Sequence, residues 1–349
     1  MNLQHRIQIL IETGKYMRGS DPEWIHVKKR ASEQNAWFIP EFIDYAIQNI
    51  TDHYLNDEKL SSWANQYQTG DSNGDPKNIG IVMAGNIPLV GYHDFLCAFV
   101  SGHKQTIKLS SKDEVLLPAL VEKMASIDAK VNEFVHFAPN LKGCDAYIAT
   151  GSNNSARYFE YYFKKYPHLI RKNRTSVGIL DGRESEKDLE LFADDVNLYF
   201  GLGCRNVSKI FVPKGYDFLP LLNAFRKYDF LIENHKYKHN YDYNLAIHII
   251  NRTYYMTNGS ILLVESPSIF SPISQLHFEY YTEPSEINTG LNMQEVQCIV
   301  GMNHIPFGMA QVPELRDYAD GVDTMKFLSG LNGSSHQGPG IGSRQMTGS

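Results

Sequence analysis

Only four cysteines are spread over the 349 residues, and no two stand in a CxxC pair. That spacing argues against a zinc ribbon or a disulfide framework, so each thiol is expected to be free. GxGxxG is missing as well, so the glycine fingerprint of a dinucleotide site is not available as a warrant. No run approaches the roughly 20 apolar residues that cross a bilayer. The opening MNLQHRIQILIETGKYM has no long apolar stretch followed by a small-residue cleavage site. A cytoplasmic protein without a transmembrane segment is therefore the expectation. With a formal net charge of −6 there is no basic excess, which argues against a nucleic-acid partner. His235 and His239 stand one helical turn apart without an HExxH pattern, so no metal site is expected.

What is present is alternation. Residues 1–78 carry apolar positions at helical spacing, as in PEFIDYAIQNITDHYL, and hold all three tryptophans. They read as a helical N-terminal layer, closed by the turn-rich QTGDSNGDPKN. From 79 to 175 strands and helices alternate. IGIVMAG (79–85), QTIKLSS (105–111) and AYIAT (146–150) read as strands, with helices at 91–103 and 116–127 between them. A second set spans 176–300, with strands SVGIL, KIFVP, LAIHIIN and SILLVE and the helix FLPLLNAFRKY. HFEYY (277–281) reads as a half-buried strand. This order predicts an α/β fold with parallel sheet in two lobes. Residues 301–331 form a return segment. The final 332–349, NGSSHQGPGIGSRQMTGS, has almost no large apolar side chains and is expected to be a disordered, appended tail.

Of the four thiols, Cys204 has the most suggestive setting, FGLGCRNVSKIFVP. Glycines on both sides of Leu202 let backbone approach a ligand. Arg205 is expected to lower the thiol pKa and raise the thiolate fraction, which is the nucleophilic form. The competing reading is a small apolar cysteine buried in a turn.

GLGCRNVSKIFVP resembles the active-site segment of the LuxC-type acyl-CoA reductases, a branch of the aldehyde dehydrogenase superfamily. MAGNIPLVGYHDFLCAFVSGHKQTIKLSSKDEVL (83–116), ATGSNNSARYF (149–159) and PFGMAQVPELRDYADGVDTMKFL (306–328) resemble that family too, in the same order. The resemblance implies an aldehyde dehydrogenase-like α/β fold, with a dinucleotide-binding lobe and a catalytic lobe carrying the nucleophile. It implies roles as well. Asn86 matches the oxyanion asparagine, acting with the backbone N–H of Cys204. Lys108 matches the lysine that holds the adenosine ribose or its phosphate. Ser111 stands where NAD-preferring relatives often carry a glutamate, so a 2′-phosphate would meet no repulsion and Lys108 and Lys112 would attract it. NADPH is the expected cofactor, with NADH the alternative. Thr150, Gly151 and Ser152 end a strand and open a helix where a pyrophosphate or nicotinamide would sit, although the same pattern describes a plain N-cap. FEYYFKKYPHLIRKNR (159–174) is expected to be a solvated helix, or an edge that meets coenzyme A phosphates.

Two departures matter. Hydrolysing members of the superfamily keep a glutamate base roughly 30–35 residues before the cysteine. Here Ile170 takes that place, and Glu184, Glu186 and Glu190 lie too close to Cys204. Without a base for water, a thioester is expected to survive until reduced. The glutamate that binds the nicotinamide ribose is replaced by Ser268, leaving Glu265 as its substitute. The expected activity is NADPH-dependent reduction of a fatty acyl thioester to the aldehyde through acylated Cys204. The acyl group would come from acyl-CoA, an acyl carrier or an acyl-transferring partner protein, and the enzyme is expected to be a homo-oligomer. The alternatives are an acyltransferase or thioesterase using the same cysteine, and a non-catalytic acyl-binding scaffold.

Overall fold

The computed structural model describes residues 1–67, 73–301 and 303–331; the expected tail at 332–349 and part of the turn-rich connection lie outside them. Four helices open the chain: α1 (Leu3–Arg18), α2 (Pro22–Gln34), α3 (Pro40–Asn49) and α4 (Asp57–Ala64). Each of α1, α2 and α4 starts on an Asn or Asp whose side chain accepts a first-turn N–H. A five-residue π-turn, Ile50–Tyr54, prolongs α3.

The first lobe follows as β1 (Asn78–Val82), α5 (Tyr92–Val100), β2 (Lys104–Lys108), α6 (Leu116–Ile127), β3 (Val135–Phe137), β4 (Ala146–Thr150), α7 (Asn153–Phe163) and β5 (His168–Arg171). Its strands are all parallel, in the order β3-β2-β1-β4-β5. Chain order reverses between β1 and β4, which opens a crevice at the carboxyl ends of these two strands. Ile79 and Ile81 on β1 and Ile148 on β4 are fully enclosed, as expected of strands covered on both faces.

The second lobe contains β6 (Thr175–Ile179), α8 (Glu186–Asn197), β7 (Val207–Pro213), α9 (Leu219–Ala224), α10 (His235–Asn251), β8 (Met256–Thr257), β9 (Leu262–Glu265), β10 (Gln275–Tyr281), α11 (Pro284–Gly290) and β11 (Val296–Gly301). The sheet runs β11-β6-β7-β10-β9-β8, parallel except for the short edge strand β8. The last helix, α12 (Thr324–Gly330), returns to the first lobe, where Met325 and Leu328 join its core.

One expected strand is helical. LAIHIIN lies in the second half of α10, which Asn234 caps through the N–H groups of Lys236 and Tyr237. Tyr237, Tyr241 and Asn244 face the core, leaving Ile249 and Ile250 58% and 74% exposed. The apolar run marks an exposed end of a helix rather than a buried strand. IGIVMAG is also shorter as a strand than it reads, because the chain leaves β1 at Val82 to form the loop carrying Asn86.

The N-terminal layer packs on both lobes. Leu10, Trp24 and Trp63 share a core with β1, α5 and α6, while Phe42 and Ala46 of α3 join the core of the second lobe. Among the described residues no helix is long and apolar enough to cross a membrane.

Candidate active site

The loop before Cys204 is held in a costly shape. After α8 the chain passes through three consecutive left-handed residues, Tyr199 (φ 54°), Phe200 (φ 58°) and Gly201 (φ 72°). Glycine tolerates this, but each aromatic residue there costs about 1–2 kcal/mol. Ring packing offsets that cost. Phe200 lies with ring centroids 5.1 Å from both Trp37 and Phe42, and Tyr199 lies 5.4 Å from Phe42. The N-terminal layer thus clamps the loop from outside.

Asn206 clamps it from within. Its amide donates to the carbonyls of Asp195, Val196 and Leu198, and its Oδ1 accepts the N–H of Gly203 at 2.8 Å. A Cβ at Gly203 would sit 2.9 Å from that same oxygen, so the close approach requires glycine. Ser176 Oγ donates to the carbonyl of Cys204 at 3.0 Å, tying the loop to β6.

Cys204 faces the cleft and is exposed there, whereas Cys97, Cys144 and Cys298 are buried. The surrounding protein still pushes its thiol above the ordinary range. Arg205 pulls the other way, as does the cysteine's own backbone N–H, while Cys298 and Asp320 push up. The expected lowering by Arg205 is therefore real in direction but outweighed by burial. Its guanidinium is turned to the return segment and β11: Nη1 donates to Cys298 Sγ at 3.2 Å and Ala310 O at 3.4 Å, and Nη2 to Asp317 O at 3.2 Å.

A continuous cleft of about 800 Å³ joins the β1/β4 crevice to this thiol. Asn86, in the loop after β1, lines it and donates from Nδ2 to the carbonyl of Leu202 at 2.6 Å. Thr150, Gly151 and Ser152 line its far end, with Ser152 Oγ capping α7 at the N–H of Ser155. Ser110 and Lys112 line the cleft, whereas Lys108 and Ser111 stand exposed outside the lining. Glu265 is exposed at the end of β9, also outside it; Phe270 and Ser271 of the next loop reach the cleft instead.

A Cβ at Gly85 would meet Ser110 Oγ at 2.6 Å, so the loop after β1 packs tightly on the Ser110 side chain of the loop after β2. Four buried polar atoms without partners, Tyr92 Oη, Asp94 Oδ1, Arg171 Nε and Gln311 Nε2, belong to residues lining the same cleft. No group of three or more metal-capable side chains occurs among the described residues.

Two residues of the site escape a reading of the sequence. Asp320 enters from the return segment, itself left-handed at φ 59°, with Oδ1 3.1 Å from Arg174 Nε and its N–H donating to Gln297 Oε1. Burial raises its carboxyl above the ordinary range against the pull of Arg174 and Arg171. Gln311 enters from the same segment, 5% exposed, with Nε2 unpartnered. Only the DYADGVD carboxylates hint at the first, and nothing local marks the second.

No protein-family model matches the chain, and no curated protein matches it. Solved structures do. An NAD+ complex of an aldehyde dehydrogenase from Bacillus cereus is 12% identical at a TM-score of 0.59, over 86% of this chain and 72% of its own. An aldehyde dehydrogenase from Mycobacterium tuberculosis complexed with NAD+ is 12% identical at 0.61, over 89% and 75%. An apo betaine aldehyde dehydrogenase from Staphylococcus aureus is 9% identical at 0.65, over 86% and 71%. The chain thus has an aldehyde dehydrogenase-like α/β fold.

Proposed function

We propose that this protein is an oxidoreductase of the aldehyde dehydrogenase type that reduces an acyl thioester to an aldehyde with NADPH, through an acyl group carried on Cys204. The observation that carries this reading is the single cleft running from the β1/β4 crevice to the thiol. An acyl carrier that did no redox chemistry would have no use for a nucleotide crevice opening onto its cysteine. The four LuxC-like segments support the acyl-CoA branch of the superfamily, and the solved neighbours with NAD+ support nicotinamide chemistry.

Cys204 Sγ attacks the thioester carbonyl carbon. The bond to the sulfur of coenzyme A breaks, and the proton of the cysteine thiol leaves with the coenzyme A thiol. Asn86 Nδ2 spends one hydrogen on Leu202 and keeps the other for the oxyanion, beside the backbone N–H of Cys204. Thr150, Gly151 and Ser152 hold the pyrophosphate side, and Lys112 with Lys108 attracts a 2′-phosphate that Ser111 does not repel. When bound, the reduced nicotinamide supplies the hydride that, with one proton, releases the acyl group as aldehyde and restores the thiol.

Incubation of the protein with an acyl-CoA and NADPH should consume one NADPH per coenzyme A thiol and aldehyde formed. Release of carboxylic acid with NADPH untouched would overturn the reading in favour of a thioesterase. Asp320 is the observation behind that second reading, since a raised carboxyl in the cleft is a candidate base for water.

A further inference from the structure

β7 and β10 run parallel with Lys209 opposite His277, so the segments leading into them, Cys204–Asn206 and Phe270–Ser274, meet the sheet at the same end. Phe270, Ser271 and Ile273 of the second segment line the cleft, as do Thr175 and Ser208 on the strands beside it. We infer that Ser208 and His277 are positioning residues that hold this β9–β10 loop as a fixed wall beside Cys204. This rests on the reductase reading and deepens it. Hydride can reach an acyl carbon on Sγ only where nicotinamide and thioester are aligned, and the loop walls that place.

Between Ser266 and Ser274 the loop contains no strand or helix, and Pro267, Ser268 and Pro272 are exposed. Its carbonyls are instead taken by side-chain donors from the neighbouring strands and α10. Lys209 Nζ, on a fully enclosed side chain, donates to Ser266 O and to Glu279 Oε2. His277 Nδ1 donates to Ser268 O at 2.9 Å; a carbonyl partner fixes the proton on that nitrogen. Ser208 Oγ donates to Ile269 O at 2.5 Å. With its one hydrogen spent there, Ser208 accepts from Thr175 Oγ1 at 2.6 Å, so a hydroxyl chain spans β6, β7 and the loop. Asn244 Nδ2 of α10 donates to Ile273 O at 3.0 Å. A loop released from these donors would misplace what it packs against, and a shift of about 1 Å can cost on the order of 10²-fold in rate. The cysteine turn is held separately, by Asn206 and Ser176, so loosening the loop leaves the thiol presented.

The test compares the full-length protein with Ser208→Ala, His277→Leu and His277→Asn, the last keeping an amide donor where Nδ1 stands. Each is measured for kcat with octanoyl-CoA and NADPH, for alkylation of Cys204 by iodoacetamide, and for hydrogen–deuterium exchange of the peptide 266–275. Ser208→Ala and His277→Leu should each lower kcat roughly 10- to 100-fold while Cys204 is alkylated at the wild-type rate. Exchange in the loop peptide should quicken by up to roughly tenfold, the worth of one hydrogen bond. His277→Asn should recover most of both. If His277→Leu does not fold, Ser208→Ala decides the matter. Unchanged kcat or unchanged exchange in Ser208→Ala, alkylation that falls in step with kcat, or a His277→Asn as impaired as His277→Leu overturns the inference. Failure of the reductase reading looks different: the wild type would form no aldehyde while the exchange differences in the loop stood.

Discussion

Asn86 Nδ2 donates to the carbonyl of Leu202 at 2.6 Å, joining the loop after β1 in the first lobe to the turn that presents Cys204 in the second. One side chain therefore sets the distance between the lobes at the point where the cleft meets the thiol. In the proposed mechanism its second amide hydrogen serves the oxyanion.

Asn86→Ala removes both the tie and the donor. The expected result is a fall of about 10²–10³ in kcat for NADPH-dependent reduction, with alkylation of Cys204 by iodoacetamide still proceeding. Steady-state rates and alkylation rates measured side by side check this. An unchanged kcat would remove Asn86 from the oxyanion role.

Arg205 is the cation that pulls the Cys204 thiol down against the upward push of the protein around it. Arg205→Gln should move the midpoint of the alkylation-rate profile to higher pH. At any pH below both midpoints, alkylation should slow in proportion to the lost thiolate, about tenfold if the midpoint rises by one. Stopped-flow alkylation across the neutral and alkaline range gives the comparison, and a midpoint that moves downward would contradict it.

What can be read from the sequence follows how local its causes are. The β1–α5–β2 alternation rests on short-range pattern and turn chemistry, and the glycine turn ahead of Cys204 is visible as a string of letters. LAIHIIN misleads because apolar content alone does not separate a strand from the exposed end of a helix capped far upstream at Asn234. The direction in which the Cys204 thiol moves was out of reach for another reason. Arg205 is adjacent in sequence, but the protein mass around the thiol, and the carbonyls of Ala310 and Asp317 that engage the guanidinium, come from the fold. Asp320 and Gln311 lie more than a hundred residues beyond the cysteine and join the same cleft only because the return segment folds back along it.

Asn206 holds the loop by three donated bonds that are buried and one accepted bond that is part-buried. Asn206→Ala leaves those carbonyls and the Gly203 N–H without partners. Denaturant unfolding should show a loss of about 2–4 kcal/mol, since each buried unsatisfied group costs on the order of 1–3 kcal/mol. The residual activity should fall more than the stability loss explains, because the turn presenting Cys204 loosens.

Asp195 makes stability depend on pH. Burial pushes its carboxyl up to about 7 from the ordinary 3.8, against the two N–H bonds from Gly308 and Ala310. With the folded value above the unfolded one, its contribution is fully present below pH 4 and is lost as pH rises to about 7. Asp195→Asn cannot ionise, so its melting temperature relative to wild type should climb across that window. The gain is bounded by about 4 kcal/mol, three pH units at 1.36 kcal/mol each. Thermal unfolding at pH 4, 6 and 8 tests the sign; a relative melting temperature that falls with pH would contradict it.

The most direct test of the central claim is intact-protein mass spectrometry of an acyl-CoA incubation without cofactor, followed by a chase with NADPH. The protein should gain one acyl mass, mapped to Cys204 and removed by hydroxylamine, and the chase should convert that acyl group to aldehyde. Equal labelling of Cys204→Ala, or an acyl group that NADPH leaves in place or releases as acid, would contradict it.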